Sequence, residues 1–163
     1  MAVAEIIGAA IGVMLLVIVA YMLVGSVLTT ADVVTTAQKD VTMLSEARLK
    51  TSIMINKPET SIEVQGLNFS VTNTGNEIIS DFNHMDLYTW DGSSEEYQRY
   101  IYNKNLPVMP GNWSVLRIER DSIHPGQLDP GEKMWIWATF PGANPLWFQV
   151  TTSNGVNAQT TYP

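Results

Sequence analysis

The sequence predicts an α+β protein, in which a long N-terminal apolar α-helix precedes an antiparallel, immunoglobulin-like β-sandwich. Two observations lead to this fold class. The first 50 residues contain a long uncharged run and no proline. After Lys50 the apolar residues change from helical spacing to alternation, in seven or eight short segments separated by Gly, Pro and Asn. We therefore assign residues 1–50 to a hydrophobic assembly or membrane helix and residues 51–163 to an outer sandwich domain.

The helix is built on the stretch from Ile6 to Leu28, which has 23 residues and no charge. At 1.5 Å per residue it is about 35 Å long, enough to cross a hydrocarbon core of about 30 Å. Sixteen of its side chains are large and apolar, counting Tyr21, so shielding them from water is worth on the order of 25 kcal/mol. No basic residue precedes the run and no small-residue cleavage site follows it, so we expect the helix to be retained. It must lie in lipid or among copies of itself.

Small residues mark one side of this helix. Ala4, Gly8 and Gly12 have the small-xxx-small spacing that lets helix backbones approach closely. We predict that they pack against another helix, with chance as the alternative because Gly and Ala are common in membrane helices. Glu5 has two interpretations. It is either a carboxylate at headgroup level facing the positive helix end, or a subunit contact that pairs with the terminal amine of a neighbouring copy.

The helix is predicted to continue beyond the apolar run to about residue 48. The segment from Thr29 to Lys50 has no Gly or Pro, and a narrow apolar stripe follows helical spacing through Ala37, Val41 and Leu44. The β-branched cluster from Val33 to Thr36 lowers helix propensity and permits a bend.

The second half of the chain alternates between apolar and polar residues. A shift in this alternation at Gly66 suggests a β-bulge. Met85 and Leu87 alternate with Tyr88 and Trp90, which predicts a half-buried strand. The complete set of predicted strands is 51–55, 61–72, 85–89, 97–103, 114–120, 133–140, 146–152 and a weak terminal stretch to residue 162.

Composition and motifs argue against catalysis and against nucleic acid. The formal charge is −7 with a pI near 4.6, and no Cys occurs, so there is no thiolate nucleophile or zinc–thiolate site. His84 and His124 lack partners at ligand spacing. The loop from Asp91 to Glu96 clusters oxygens but lacks the spacing of an EF-hand, so a solvated turn is favoured over a calcium site. We predict no enzyme, no catalytic, cofactor or metal residues, and no small-molecule substrate.

Two pairs of residues on the sandwich stand out. Trp135 and Trp137 lie on one face of a strand whose other face is also apolar. Either this strand is central and covered on both sides, or the two Trp side chains form a subunit contact, since interfaces favour Trp. Asn68 and Asn112 each begin an Asn-x-Ser sequon, so both are candidate glycosylation sites on an exported protein.

Three motifs resemble those of archaellum proteins, which belong to the type IV pilin-like superfamily. They are Leu67-Asn68-Phe69-Ser70-Val71-Thr72-Asn73-Thr74-Gly75, Asp81-Phe82-Asn83-His84-Met85-Asp86-Leu87 and Leu128-Asp129-Pro130-Gly131-Glu132. With the uncharged N-terminal helix and the Cys-free sandwich, they are similar to archaellins, which build the archaeal flagellum filament, and to the related accessory proteins F and G. Glu5 matches the glutamate of type IV pilins at that position.

The resemblance implies a structural subunit of an extracellular archaellum-like or type IV pilus-like filament, serving motility or adhesion. Such a subunit is inserted in the membrane before assembly and then polymerises with copies of itself through its N-terminal helix, while the sandwiches form the outer wall. The alternative is a membrane-anchored archaellum accessory protein. In that case the sandwich binds surface-layer protein or steadies the filament.

Overall fold

A computed structural model describes residues 2–56, 66–92, 97–105, 109–140 and 145–161. Within them the chain divides into two compact units, Met1–Leu44 and Ser45–Pro163. One helix, α1, spans Ala2–Lys50, and a short 3₁₀ helix spans Phe82–His84. The eight strands are β1 Ile53–Asn56, β2 Gly66–Asn73, β3 Asp86–Trp90, β4 Gln98–Tyr102, β5 Asn112–Glu119, β6 Lys133–Thr139, β7 Trp147–Thr151 and β8 Asn157–Thr161.

Helix α1 is continuous from Ala2 to Lys50, so the β-branched cluster does not interrupt it. Hydroxyl groups along the helix donate to backbone carbonyls one turn earlier. Thr29, Thr30, Thr35 and Thr42 donate to the fourth preceding carbonyl at 2.8–3.0 Å. These bonds satisfy the hydroxyls within the helix. The charged residues at the two ends interact favourably with the helix dipole, because Glu5 lies in the first turn and Arg48 and Lys50 lie in the last.

The strands form one sheet in the order β1-β2-β6-β5-β4-β3-β7-β8. This sheet folds over into two layers, β1-β2-β6-β5 and β4-β3-β7-β8, and the end strands β1 and β8 come close to each other. The predicted α+β fold class with a β-sandwich is confirmed. One pair departs from the antiparallel prediction, since β4 and β5 run parallel over two residue pairs, Ile101 with Asn112 and Tyr102 with Trp113.

The core fills the space between the two layers with one side of each strand. Along β6 the buried residues alternate with half-buried ones, as the pleat of a strand requires. Phe69 of β2 meets Phe148 of β7 across the sandwich with ring centroids 4.8 Å apart. The fully buried large side chains include Trp113, Tyr100, Phe69, Phe148, Met85, Leu87, Leu128, Met134 and Ile136.

The register shift in the sheet lies in β5, between Val115 and Arg117. From Gly66 onward β2 pairs with β6 without a shift, and the residues before Gly66 in that predicted strand, 61–65, lie outside the described part of the chain. The predicted bulge at Gly66 therefore stays a prediction, and the described structure shows that Gly66 is closely packed. A Cβ at this position would collide with the indole of Trp137, so only glycine lets that ring lie across the strand.

Two of the motifs singled out in the sequence pack against each other. Asn73 is completely buried, and its amide nitrogen donates to the carbonyls of Glu77 at 2.7 Å and Leu128 at 3.0 Å. Its amide oxygen accepts from the backbone N–H of Gly75 at 3.0 Å. The two backbones are also joined, because Asn73 N–H donates to Glu132 and Gly131 N–H donates to Asn73. One side chain thus holds two distant turns together.

We expect Asn73→Ala to lower the free energy of unfolding by about 1–3 kcal/mol, because the variant loses the three hydrogen bonds of the buried amide. The Leu128 carbonyl keeps one donor, the backbone N–H of Ile79. Denaturant unfolding of the full chain measures the change. The control is Asn76→Ala, since the Asn76 side chain is exposed and its backbone N–H, kept in the variant, makes the contact to Lys50. Equal stability of the two variants would contradict the role given to the Asn73 amide.

Candidate interaction surfaces

In the described residues the candidates for a functional site are interaction surfaces. No group of three or more His, Asp or Glu side chains in them is placed to hold a metal ion. Each histidine pairs with a nearby aspartate instead, His84 with Asp81 at 2.6 Å and His124 with Asp129 at 2.8 Å. Of the predicted oxygen-rich loop, residues 93–96 lie outside the described part of the chain. Three surfaces therefore remain as candidates: the helix and the two outer faces of the sandwich.

The first surface is the N-terminal part of helix α1, which carries no charge from Ile6 to Ala31. Its large side chains are exposed in the single chain, from Val3 and Ile6 to Val27 and Leu28. By length and composition the helix can cross a membrane. The stripe of Ala4, Gly8 and Gly12 is open, because a Cβ added at either glycine would meet no atom within 4 Å. Packing through this stripe and pairing of Glu5 stay predictions, since both need a second chain.

The second surface is the outer face of β2, β6 and β5, which carries Trp135 and Trp137. The Trp135 indole N–H donates to a carboxylate oxygen of Glu119 at 2.6 Å, and the Arg117 guanidinium lies 5.4 Å from the centre of the ring. The hydrogen bond from Trp135 is the main reason that the pKa of the Glu119 carboxyl is lowered. Both polar and aromatic contacts of Trp135 are therefore made within its own sheet.

The position of β6 resolves part of the ambiguity about its two apolar faces. The strand is central, with β2 on one side and β5 on the other, and its inner face is buried in the core. The outer face is half-buried by neighbours in the same sheet, among them Arg117 beside Trp135 and Gly66 beneath Trp137. Contact of the two Trp side chains with another subunit stays a prediction.

The two sequons differ in their surroundings. Asn68 lies within β2, opposite Trp137, and its side-chain oxygen is buried without a hydrogen-bond partner in the described structure. Asn112 is the first residue of β5 and follows the turn at Gly111. Both residues are half-buried. Asn112 is also paired, with Thr139 of β6 and Ile101 of β4, so the buried side-chain oxygen of Asn68 is what distinguishes the two residues.

The third surface was not singled out from the sequence. It is the outer face of β3, β7 and β8, where Trp90 pairs with Trp147 and both are half-buried. With Tyr97 they border a cleft of about 390 Å³. The alternation of Tyr88 and Trp90 with core residues was visible in the sequence, but their partners on β7 become neighbours only through the sheet register.

A solved structure of an archaellum protein shares the fold of about two thirds of the chain. No protein-family model and no curated protein matches the chain. The chain is similar to the structure described as the archaellum periplasmic stator protein FlaG from Sulfolobus acidocaldarius, with a TM-score of 0.50 and 18% identity over 69% of this chain and 99% of that one. It has the fold of FlaG. The resemblance to the archaellum accessory proteins, predicted from three short motifs, is thus confirmed at the level of the fold.

A second solved structure gives a similar comparison. It is described as the archaellum periplasmic stator protein complex of FlaF and FlaG from the same organism. The TM-score is 0.48 and the identity is 19%, with 68% of this chain and 87% of that chain covered.

We expect Asn112 to carry sugar at higher occupancy than Asn68 in protein purified from its native cells. A glycan is attached through the side-chain nitrogen, and the amide of Asn68 is held in a paired strand with its oxygen buried. Mass spectrometry of the two glycopeptides measures both occupancies in one sample. Higher occupancy at Asn68 would show that the strand is open when the sugar is transferred.

Proposed function

We propose that the protein is a membrane-anchored accessory protein of an archaellum, with its sandwich acting outside the membrane. The sandwich would bind surface-layer protein or steady the filament. The observation that carries the proposal is a combination. The chain has the fold of a protein described as a periplasmic stator of the archaellum, and it also has a helix long and apolar enough to cross a membrane.

The charge pattern of α1 supports an anchor. Glu5 and Asp32 are separated by 26 residues without a charge, a length of about 39 Å as a helix and more than the hydrocarbon core requires. Apolar side chains are exposed on all sides of this helix, as suits a segment surrounded by lipid better than one with a single buried face. Beyond Asp32 the helix gains charges such as Lys39, Asp40 and Glu46, which favour water.

A filament subunit remains the second candidate, and a specific observation favours it. The stripe of Ala4, Gly8 and Gly12 leaves room for another helix backbone, and Glu5 stands where a neighbouring terminal amine could pair with it. In this case copies of the chain replace lipid around α1. The hydrophobic free energy changes little, because apolar helices and lipid tails shield the side chains equally well, so packing decides assembly.

We expect the protein to stay with the membrane fraction when filaments are sheared from native cells. An anchor is held by a helix in lipid, whereas a filament subunit leaves with the filament and dominates the sheared material. Immunoblotting of both fractions, with the main subunit of the sheared filaments as control, separates the two functions. Recovery of most of the protein in the sheared fraction would favour the filament subunit.

We expect Gly12→Leu to reduce self-association of α1 in membranes several-fold without loss of membrane retention. Leu fills the stripe and keeps helix backbones apart, while the apolar character of the segment is maintained. Chemical cross-linking in native membranes measures association. The control is Gly25→Leu, which changes a helix glycine about 220° around the axis from Gly12 and equally open. Equal cross-linking in the two variants would exclude the stripe as the contact.

A further inference from the structure

The outer face of β3, β7 and β8 presents three rows of side chains, which we call the outer platform. Residues in register on neighbouring strands point to the same face of a sheet, so each row crosses the strands. The first row is Trp90, Trp147 and Thr161; the second is Tyr88, Gln149 and Gln159; the third is Asp86, Thr151 and Asn157. The residues between these rows point inward, among them Leu87, Phe148 and Val150 of the core.

The first row carries two half-buried tryptophans and lies beside the exposed ring of Tyr97. Tyr97 and Trp147 make a T-shaped contact with ring centroids 5.4 Å apart and planes at 71°. The Tyr97 side chain is 65% exposed, and Leu146 beside it is 51% exposed. The cleft of about 390 Å³ is lined by Trp90, Tyr97, Leu146, Trp147, Gln159 and Thr161. Aromatic surface thus borders a recess that also contains an amide and a hydroxyl.

The second and third rows carry polar groups, and the side chains on β3 and β7 are held by hydrogen bonds. Arg99 of β4, in register with Tyr88, pairs with Asp86 at 2.7 Å, and the Tyr88 hydroxyl donates to the same carboxylate at 3.2 Å. The Gln149 amide nitrogen donates to the Thr151 hydroxyl at 3.0 Å. Gln159 and Asn157 are exposed and carry amides that both donate and accept. The rows therefore offer oriented donors and acceptors without net charge.

We propose that the outer platform binds a neutral oligosaccharide. A pyranose ring has a face of C–H bonds that packs on the electron-rich face of an indole or phenol, while the hydroxyls at its rim both donate and accept hydrogen bonds. The platform supplies aromatic rings in one row and hydrogen-bonding amides in the next row. The two rows are roughly 7 Å apart, because they contain residues two apart in each strand. Saccharide rings stack on Trp90, Trp147 and Tyr97, and their hydroxyls bond to the Gln149 and Gln159 amides.

The charge of the platform selects this ligand over charged ones. Asp86 is the one charged residue in the three rows, and Arg99 of the neighbouring strand β4 pairs with it at 2.7 Å. The rows and this arginine together therefore provide neither the excess positive charge that a phosphate or uronate requires nor an excess of acid for a basic partner. The other tryptophan face is less suited to the same ligand. There the Trp135 N–H is bonded to Glu119 and the ring is covered by Arg117.

The test uses the full chain in a detergent without a sugar headgroup. The probes are immobilised neutral hexasaccharides of glucose, mannose, galactose and N-acetylglucosamine, in α- and β-linkage. We expect binding to at least one of them and at least a tenfold weaker affinity for Trp147→Leu, which keeps apolar volume and removes the aromatic face. The matched control is Trp135→Leu on the other outer face, for which the affinity should be unchanged.

Absence of binding to every probe overturns the proposal, and so does equal weakening by the two Trp variants. If Trp147→Leu does not fold, Tyr97→Ala decides, because this exposed ring can be removed without opening the core; unchanged binding by that variant also overturns the proposal. The result is independent of the anchor proposed above, since release of the protein with sheared filaments would leave saccharide binding as it is.

Discussion

The sandwich depends on a buried amide that cannot be satisfied unless two separate turns are in place. Asn73 donates to Glu77 and Leu128 and accepts from Gly75, and its backbone is bonded to Gly131 and Glu132. Buried polar groups are normally hydrogen-bonded, because a buried donor or acceptor without a partner lowers the stability of the fold. The end of β2, the start of β6 and the bridge between Ile79 and Leu128 are therefore fixed together, and the inner faces of β2 and β6 are aligned as a consequence.

The same turn also ends the helix. Backbone N–H groups of Thr74 and Gly75 donate to the Ser52 carbonyl, and that of Asn76 donates to the Lys50 carbonyl at 2.8 Å. The last carbonyls of a helix lack partners within it, so this turn supplies one for Lys50. The approach is so close that a Cβ on Gly75 would collide with the backbone of Lys50 and Ser52. Glycine is thus required here for space.

Local periodicity predicted much of the fold, because it depends on residues that are near each other in the chain. Strand β6 was predicted over 133–140 and spans Lys133–Thr139, and the helix ends within two residues of the predicted position. Strand order depends on distant pairs instead. The parallel pairing of β4 with β5 rests on two residue pairs, too few to give a pattern, and the contact of Asn73 with Leu128 joins residues 55 positions apart. The bulge at Leu116 has no glycine to mark it.

The two tryptophan faces show why the candidate sites were harder to predict than the strands. Trp135 and Trp137 share one strand, so their common face was evident from alternation. Trp90 and Trp147 lie on strands far apart in sequence and become neighbours through the register of β3 with β7. The two faces also differ in how far their indole rings are available to a ligand. Glu119 and Arg117 occupy the indole of Trp135, whereas Trp147 borders an open cleft beside an exposed Tyr97. Whether an aromatic side chain can bind a ligand therefore depends on how much of its ring the neighbouring side chains cover. Residue type and spacing in the sequence do not give that information.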